Sequence, residues 1–172
     1  MVRKYHMVLD DYPEHATALG RMLGHWGLFE TQLMRMMEFL FQAQGDKVNH
    51  FKTDFVYKEF VSLRSKITLL ERLNRWFVQE EPLKEAIKKL LSETRRINKE
   101  RNNYVHARWG SGPYGDTSNR LMRISLASPS NINELYNPLK RVTPQDIQNF
   151  SADIVKHSLS FQELLDRVFP VD

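Results

Sequence analysis

The sequence predicts an all-α fold, an antiparallel bundle of four main helices with a small β-hairpin inserted between the third and the fourth. Apolar residues recur every three to four positions along four long segments, which is the spacing of one face of an α-helix. Between the third and fourth segments, the stretch "GSGPYGDTSN" consists almost entirely of residues typical of turns. Because each helix has only one apolar face, the helices must pack on one another to bury it, and this favours a bundle.

The composition limits the class of protein. The chain has 172 residues, of which 41% are hydrophobic and 27% are charged, and these values are typical of a single globular domain over residues 1–172. It contains no cysteine, which excludes disulfides and thiolate metal sites. We expect a cytoplasmic protein without a membrane span, because no apolar run reaches the length of a signal peptide or of a membrane helix. The net charge of +4 permits a nucleic-acid partner.

Local signals set the ends of the predicted helices. Pro13 suits the first position of a helix, because the amide hydrogen that it lacks would have no partner there. At the start of the last helix, Thr143 is the expected N-cap and Pro144 the first helical residue. The predicted core helices cover residues 13–44, 55–79, 83–108 and 144–168, and the hairpin with its loops covers residues 109–142.

The inserted segment contains one clear strand candidate. The stretch "RLMRISLAS", which begins at Arg120, shows the partial alternation of apolar and polar residues that is typical of a strand. Two segments are candidates for its partner, residues 107–110 and the residues around 139–142. Either pairing would place a small hairpin on the helical bundle.

Arg101 lies near the centre of the apolar face of the third predicted helix, between Ile97 and Val105. A buried charge without a partner is costly, so we expect an acid to face this arginine. Glu30 lies within the apolar stripe of the first helix. The sequence therefore predicts a partly buried ion pair between Glu30 and Arg101, which would join the first and third helices.

The neighbouring face of the third helix has a series of basic residues, which we name the basic strip. Beyond the strip, the same face continues to Asn102 and His106, which are four residues apart and therefore neighbours on a helix surface. One interpretation is a solvated helix face; the other is a groove that positions the sugar–phosphate backbone of RNA beside a histidine. The basic strip consists of Lys84, Lys88, Arg95 and Lys99.

The residues "RNNYVH", from Arg101 to His106, resemble the motif of the HEPN domain family. In that family an Arg and a His, with four to six residues between them, lie near the end of one helix, and the residue after the Arg is commonly polar. The segments "GHWGLFETQL" and "VHARW" are also similar to bacterial members. The resemblance covers residues 13–109, with the last helix completing the bundle. It implies an all-helical bundle and a homodimer.

The resemblance also implies an activity, that of a metal-independent endoribonuclease of the toxin or defence type. Two copies of the motif would face one composite cleft. In it His106 would act as general acid and base, since the pKa of an imidazole ordinarily lies near neutral pH. Arg101 would stabilise the charge on the transition state, and Asn102 would orient His106 or hydrogen-bond the phosphate. No metal and no cofactor is implied. The residues expected to bind RNA are Lys84, Lys88, Arg95, Lys99, Arg108 and Trp109.

A second interpretation keeps the fold and omits the catalysis. Other members of the family are dimerisation modules, or bind RNA, a nucleotide or a partner protein. Members that act as toxins beside an antitoxin have a Tyr two places after the His, and Arg108 stands at that place in this chain. An exposed His106 in a cleft beside a second copy of itself would favour the nuclease, and a buried His106 bonded to a backbone carbonyl would favour the module.

Overall fold

The computed structural model describes residues 8–42, 50–60, 62–106, 108–110, 121–124 and 141–168. This part of the chain is mainly helical, which confirms the predicted all-α class. A short 3-10 helix, Val8–Asp11, precedes the first α-helix. None of the helices in these ranges combines the length and the apolar run needed to cross a bilayer. The helices are α1 (Pro13–Gln42), α2 (His50–Glu59), α3 (Leu63–Phe77), α4 (Glu81–Val105) and α5 (Pro144–Val168).

The segment predicted as one helix over residues 55–79 is divided between two helices, the second half of α2 and the whole of α3, and α2 begins before the segment, at His50. Ser62 separates them: its backbone is extended, and its Oγ accepts a hydrogen bond from the backbone N of Ser65 at 3.1 Å. A serine in this conformation is an N-cap, because its hydroxyl satisfies an amide that has no partner in the first turn. The cap therefore starts a new helix where periodicity alone predicts continuity.

The α4 helix ends before the predicted limit of residue 108. The last backbone bond of the helical type runs from the N of His106 to the O of Asn102, at 3.0 Å. Arg108 belongs to a strand instead, β1 (Arg108–Gly110). Trp109, the middle residue of β1, pairs with Arg123 of a second strand, β2 (Leu121–Ile124).

The described strands form a three-stranded antiparallel sheet in the order β1-β2-β3. β2 (Leu121–Ile124) pairs with β1 on one side and with β3 (Arg141–Val142) on the other. Both segments that the sequence offered as partners for this strand are therefore paired with it. β3 ends directly before Thr143, the N-cap of α5, so the sheet leads straight into the last helix.

The chain divides into two compact units. The first unit consists of Met1–His25 and Glu100–Asp153, and the second of Trp26–Lys99 and Ile154–Asp172. The helices α1, α4 and α5 each contribute residues to both. The single domain over residues 1–172 stays a prediction. The predicted β-insertion falls within the first unit, as does the motif from Arg101 to His106.

In the first unit, the beginning of α1 packs against the sheet and the beginning of α5. His15 is fully buried, and its Nε2 donates to the carbonyl O of Val142 at 2.9 Å. His25 Nδ1 lies 2.8 Å from Ser151 Oγ. Leu23, which the sequence placed in the apolar stripe of α1, is 42% exposed, because it lies about 90° around the helix from the buried face. The buried apolar residues of this unit include Ala18, Leu19, Met22, Tyr104, Val142, Ile147 and Phe150.

In the second unit, Phe29 of α1 is the centre of the core. Its ring contacts those of Phe161 and His157, with centroids 5.4 and 5.2 Å away. Glu71 of α3 accepts two hydrogen bonds from Arg95 of α4, from Nε at 3.1 Å and from Nη2 at 2.6 Å. The other fully buried side chains of this unit include Leu33, Met36, Met37, Leu40, Ile67, Leu70, Ile87, Leu91 and Ile97.

Candidate functional site

The end of α4 and the turn that follows it hold the three residues that the sequence predicts to be catalytic. Arg101 is partly buried, and its Nη1 donates to Asn102 Oδ1 at 3.0 Å. The backbone O of Asn102 in turn accepts from the backbone N of His106 at 3.0 Å. Asn102 therefore contacts both of the other residues, Arg101 through its side chain and His106 through its main chain.

His106 is exposed, in the turn that follows α4. Its position corresponds to the face of the basic strip, beside the apolar face of α4, and the helix ends at Val105 directly before it. An exposed imidazole can meet a substrate from solvent, whereas one enclosed in the core could not. His106 is therefore not the buried histidine expected for the module, and the cleft beside a second copy that the nuclease requires stays a prediction.

Arg101 and His106 lie five positions apart, which corresponds to about 140° around an ideal helix. Their side chains therefore leave α4 in different directions. A substrate held by both groups of one chain would have to wrap around the end of the helix. A second copy of the chain, with its own Arg101 and His106, removes this constraint.

The predicted ion pair between Glu30 and Arg101 stays a prediction, since the two residues belong to different compact units. Within the second unit, Glu30 Oε1 accepts a hydrogen bond from Trp26 Nε1 at 3.2 Å. The carbonyl O of Glu30 accepts one from the hydroxyl of Tyr57 at 3.3 Å. Burial, together with the carboxylate of Glu30, raises the pKa of Tyr57 above its usual range.

Carboxylates accompany three of the four residues of the basic strip. Lys84 Nζ lies 3.3 Å from Glu81 Oε2, and Lys88 Nζ lies 3.0 Å from Glu85 Oε1. Arg95 forms the paired hydrogen bonds with Glu71 described above, and Lys99 is exposed. Each carboxylate reduces the positive potential that an RNA phosphate would meet. This arrangement favours a solvated helix face, and RNA binding by the strip stays a prediction.

Trp109 and Arg108 are the last of the predicted RNA-binding residues, and both lie in β1. The side chain of Arg108 lies outside the described residues. The ring of Trp109 is partly exposed and nearly parallel to that of Tyr104, with centroids 6.4 Å apart and 23° between the planes. Tyr104 is in turn nearly parallel to Phe150, at 5.2 Å and 21°. We name these three residues the aromatic stack.

Sequence reasoning missed a close pair of chemically capable groups in the first unit, His25 and Ser151. Their separation of 2.8 Å is that of a base and the hydroxyl it would activate. Ser151 is only 5% exposed, however, so a substrate has no access to its oxygen. The pair therefore joins α1 to α5. His15 and His157 also lie in the core. Their spacing within the apolar stripes of α1 and α5 is the sequence signal that indicates their burial.

An open groove lies at the start of α1 and α5 in the first unit, and no residue of the predicted site lines it. The N-terminus of a helix attracts anions, but the carboxylate of Glu14 at the groove opposes their binding. Among the side chains that the structure describes, no group of three or more His, Asp or Glu could hold a metal ion. The groove is lined by Pro13, Glu14, Thr17, Thr143, Pro144, Gln145 and Gln148.

Comparison with known proteins identifies no relative. No protein-family model, no curated protein and no solved structure matches this chain at a significant level. The residues at the end of α4 and the motif that they form are therefore the features of this chain that indicate a function.

Proposed function

We propose that this chain is a HEPN-like, metal-independent endoribonuclease of the toxin or defence type that acts as a homodimer. One observation carries the proposal. The exposed His106 follows the last turn of α4, where Asn102 holds the guanidinium of Arg101. The order and spacing of these residues match the motif of the family. In the proposed fold, α1, α4 and α5 form the bundle with the segment of α2 and α3, and the small sheet is the insertion.

The proposed reaction transfers a phosphoryl group within the RNA. The ribose 2′-oxygen attacks the adjacent phosphorus, and His106 removes the proton from that hydroxyl. The bond between phosphorus and the 5′-oxygen breaks, and a protonated His106 of the partner subunit donates a proton to the leaving oxygen. The products are a 2′,3′-cyclic phosphate and a 5′-hydroxyl. DNA would not react by this route, because it lacks the attacking hydroxyl.

Arg101 and Asn102 have separate parts in this reaction. The guanidinium of Arg101 stabilises the additional negative charge on the phosphorane-like transition state. Asn102 accepts a hydrogen bond from Arg101 at 3.0 Å, and it thereby limits the orientations that the guanidinium adopts. Asn102 is thus a positioning residue. In the dimer, Arg101 of one subunit and His106 of the other meet the same phosphate. Within one subunit the two side chains point in different directions, because five positions correspond to about 140° around an ideal helix.

The test is the cleavage of a mixed-sequence single-stranded RNA in the presence of EDTA. The wild type is compared with His106→Ala, and the ends of the fragments are identified. We expect the wild type to cut and to leave 2′,3′-cyclic phosphates, and the variant to lose activity by at least about 100-fold, the contribution typical of general acid–base catalysis. Equal cutting by both proteins would exclude His106 as the acid or base.

A matched pair of variants tests the role of Asn102. Asn102→Ala removes the acceptor for Arg101, whereas Asn103→Ala removes a hydrogen bond to Glu100 Oε2 one position further along the same helix. We expect the first change to lower kcat more than the second, with both proteins folded. Equal effects would assign Asn102 to the stability of the helix end.

A second candidate function is a non-catalytic dimer that binds RNA, a nucleotide or a partner protein such as an antitoxin. The pairing of Lys84, Lys88 and Arg95 with carboxylates favours its protein-binding form, because a surface that binds RNA or a nucleotide gains from unpaired positive charge. In this case neither the wild type nor His106→Ala cuts RNA, although both remain folded dimers.

A further inference from the structure

We propose that Trp109 is a stacking platform for one unpaired base of single-stranded RNA. The inference rests on the proposed function, since it assigns a substrate class to the same site. Trp109 is the partly exposed member of the aromatic stack, in which Tyr104 is 7% exposed and Phe150 is also buried. Nucleobases stack on such rings, and the contribution of one base is large enough to measure.

The stack holds the indole ring in one orientation before any ligand binds. The planes of Trp109 and Tyr104 differ by 23°, and those of Tyr104 and Phe150 by 21°. Tyr104 belongs to α4, Phe150 to α5 and Trp109 to β1, so three different elements of the first unit support the arrangement. A ring that is already ordered loses little conformational entropy on binding, and this favours affinity.

The other two tryptophans do not offer the same surface. Trp26 is 3% exposed, and its Nε1 donates to Glu30. Trp76 is 60% exposed, but it lies on α3 in the second unit, and its ring meets Phe77 edge to face. Trp109 is therefore the tryptophan that combines an exposed surface with a stacked support in the unit that contains His106.

The position of Trp109 along the chain connects the platform to the proposed chemistry. It lies three positions after His106, so the Cα atoms of the two residues are at most about 11 Å apart. At this distance a base stacked on Trp109 can have its own phosphate, or the next one, within reach of His106. Only an unpaired base can present its face to the protein, because both faces are covered within a duplex. The proposed substrate is thus a single strand, with little preference for the identity of the stacked base.

Tryptophan fluorescence tests the platform directly in the full chain. With Trp76→Phe as the background, Trp109 is the tryptophan with exposed surface, and Trp26 is a buried internal reference. The probe is a short 2′-O-methyl RNA, which cannot be cut because its nucleophile is blocked. We expect the single strand to quench the emission, and a duplex of the same sequence to quench it far less. Binding seen by fluorescence anisotropy without any quenching would overturn the proposal, and so would a complete lack of binding.

Affinity measurements with variants complete the test. Trp109→Ala is expected to weaken binding of the same probe by roughly 5- to 150-fold, with Trp109→Phe between it and the wild type. Trp76→Ala is the matched control, and its affinity is expected to equal that of the wild type. If Trp109→Ala does not fold, the quenching and the Trp109→Phe variant decide the question. Equal affinity of the folded Trp109→Ala and wild-type proteins contradicts the proposal.

Different experimental results would reject the stacking platform and the proposed nuclease. Binding that depends on Trp109, together with no cleavage that depends on His106, keeps the platform and rejects the nuclease. Cleavage that depends on His106, with no quenching and no loss of affinity in Trp109→Ala, keeps the nuclease and rejects the platform.

Discussion

His157 Nε2 lies 2.9 Å from Thr94 Oγ1 in the core of the second unit. The hydroxyl of Thr94 donates its own hydrogen to the carbonyl O of Leu90, also at 2.9 Å. Thr94 Oγ1 must therefore accept from His157, which places the hydrogen of a neutral imidazole on Nε2. Phe29 and Phe161 contact the same ring, so a charged imidazole here would be poorly solvated.

The first prediction concerns stability at acid pH. Burial lowers the pKa of His157 from 6.5 to about 4, while Glu93 acts in the opposite direction. The unfolded chain therefore binds a proton at a higher pH than the folded chain. As the pH falls from 6.5 towards 4, the free energy of unfolding should decrease by an amount on the order of 2 kcal/mol. Urea unfolding of the wild type and of His157→Gln over this range measures the effect. Identical pH slopes for both proteins would contradict it.

The second prediction concerns the ion pair between Arg95 and Glu71, which joins α4 to α3. Because two hydrogen bonds link these partly exposed groups, Arg95→Ala should lower the free energy of unfolding by about 1 kcal/mol. A double-mutant cycle with Glu71→Ala should give a coupling of about 0.5–1 kcal/mol. Arg96→Ala is the matched control, since Arg96 pairs with Glu93 three residues away on the same exposed helix face. An equal loss in both arginine variants would show that the connection between the helices adds nothing.

The third prediction concerns the glycines of α1. A Cβ added at Gly24 would have no described atom within 4 Å, so an alanine there meets no steric conflict within the described part of the chain. Gly24→Ala should raise the free energy of unfolding by about 0.5–1 kcal/mol, because glycine is a poor helix former. Chemical denaturation measures the change, and Gly20→Ala is a second variant on the same exposed face. A loss of stability would indicate that another helix, such as one from a second subunit, approaches α1 closely there.

The fourth prediction concerns the start of α5. Thr143 Oγ1 accepts from the backbone N of Asp146 at 3.1 Å, and Asp146 Oδ2 accepts from the backbone N of Thr143 at 2.8 Å. This reciprocal arrangement confirms Thr143 as the N-cap. Thr143→Ala should lower the free energy of unfolding by about 1 kcal/mol, while Thr143→Ser should retain most of the stability. A Thr143→Ser variant as unstable as Thr143→Ala would show that the methyl group, and not the cap, matters.

The starts of helices are set by residues close together in the sequence, and those of α1 and α5 are predicted correctly. Pro13, Thr143 and Pro144 begin helices at the predicted positions, because caps and first-turn preferences depend on neighbouring residues alone. Ser62 is the informative exception. The apolar periodicity continues past it and predicts one helix, but its hydroxyl accepts the hydrogen bond from Ser65 that starts α3. A serine before an apolar run is a signal of such a cap in the sequence itself.

The spacing of apolar residues locates the buried faces of the long helices, and it thereby predicts the mainly helical class and most of the core. The sequence also placed Arg101, Asn102 and His106 together, because they share one helix end. The contacts between side chains that are distant in the sequence are seen only in the folded structure. Arg95 meets Glu71 across 24 residues, and His15 meets Val142 across 127. The physical reason is that helical periodicity depends on residues three and four positions apart, whereas a side chain acquires its partner only when separate helices and strands have packed.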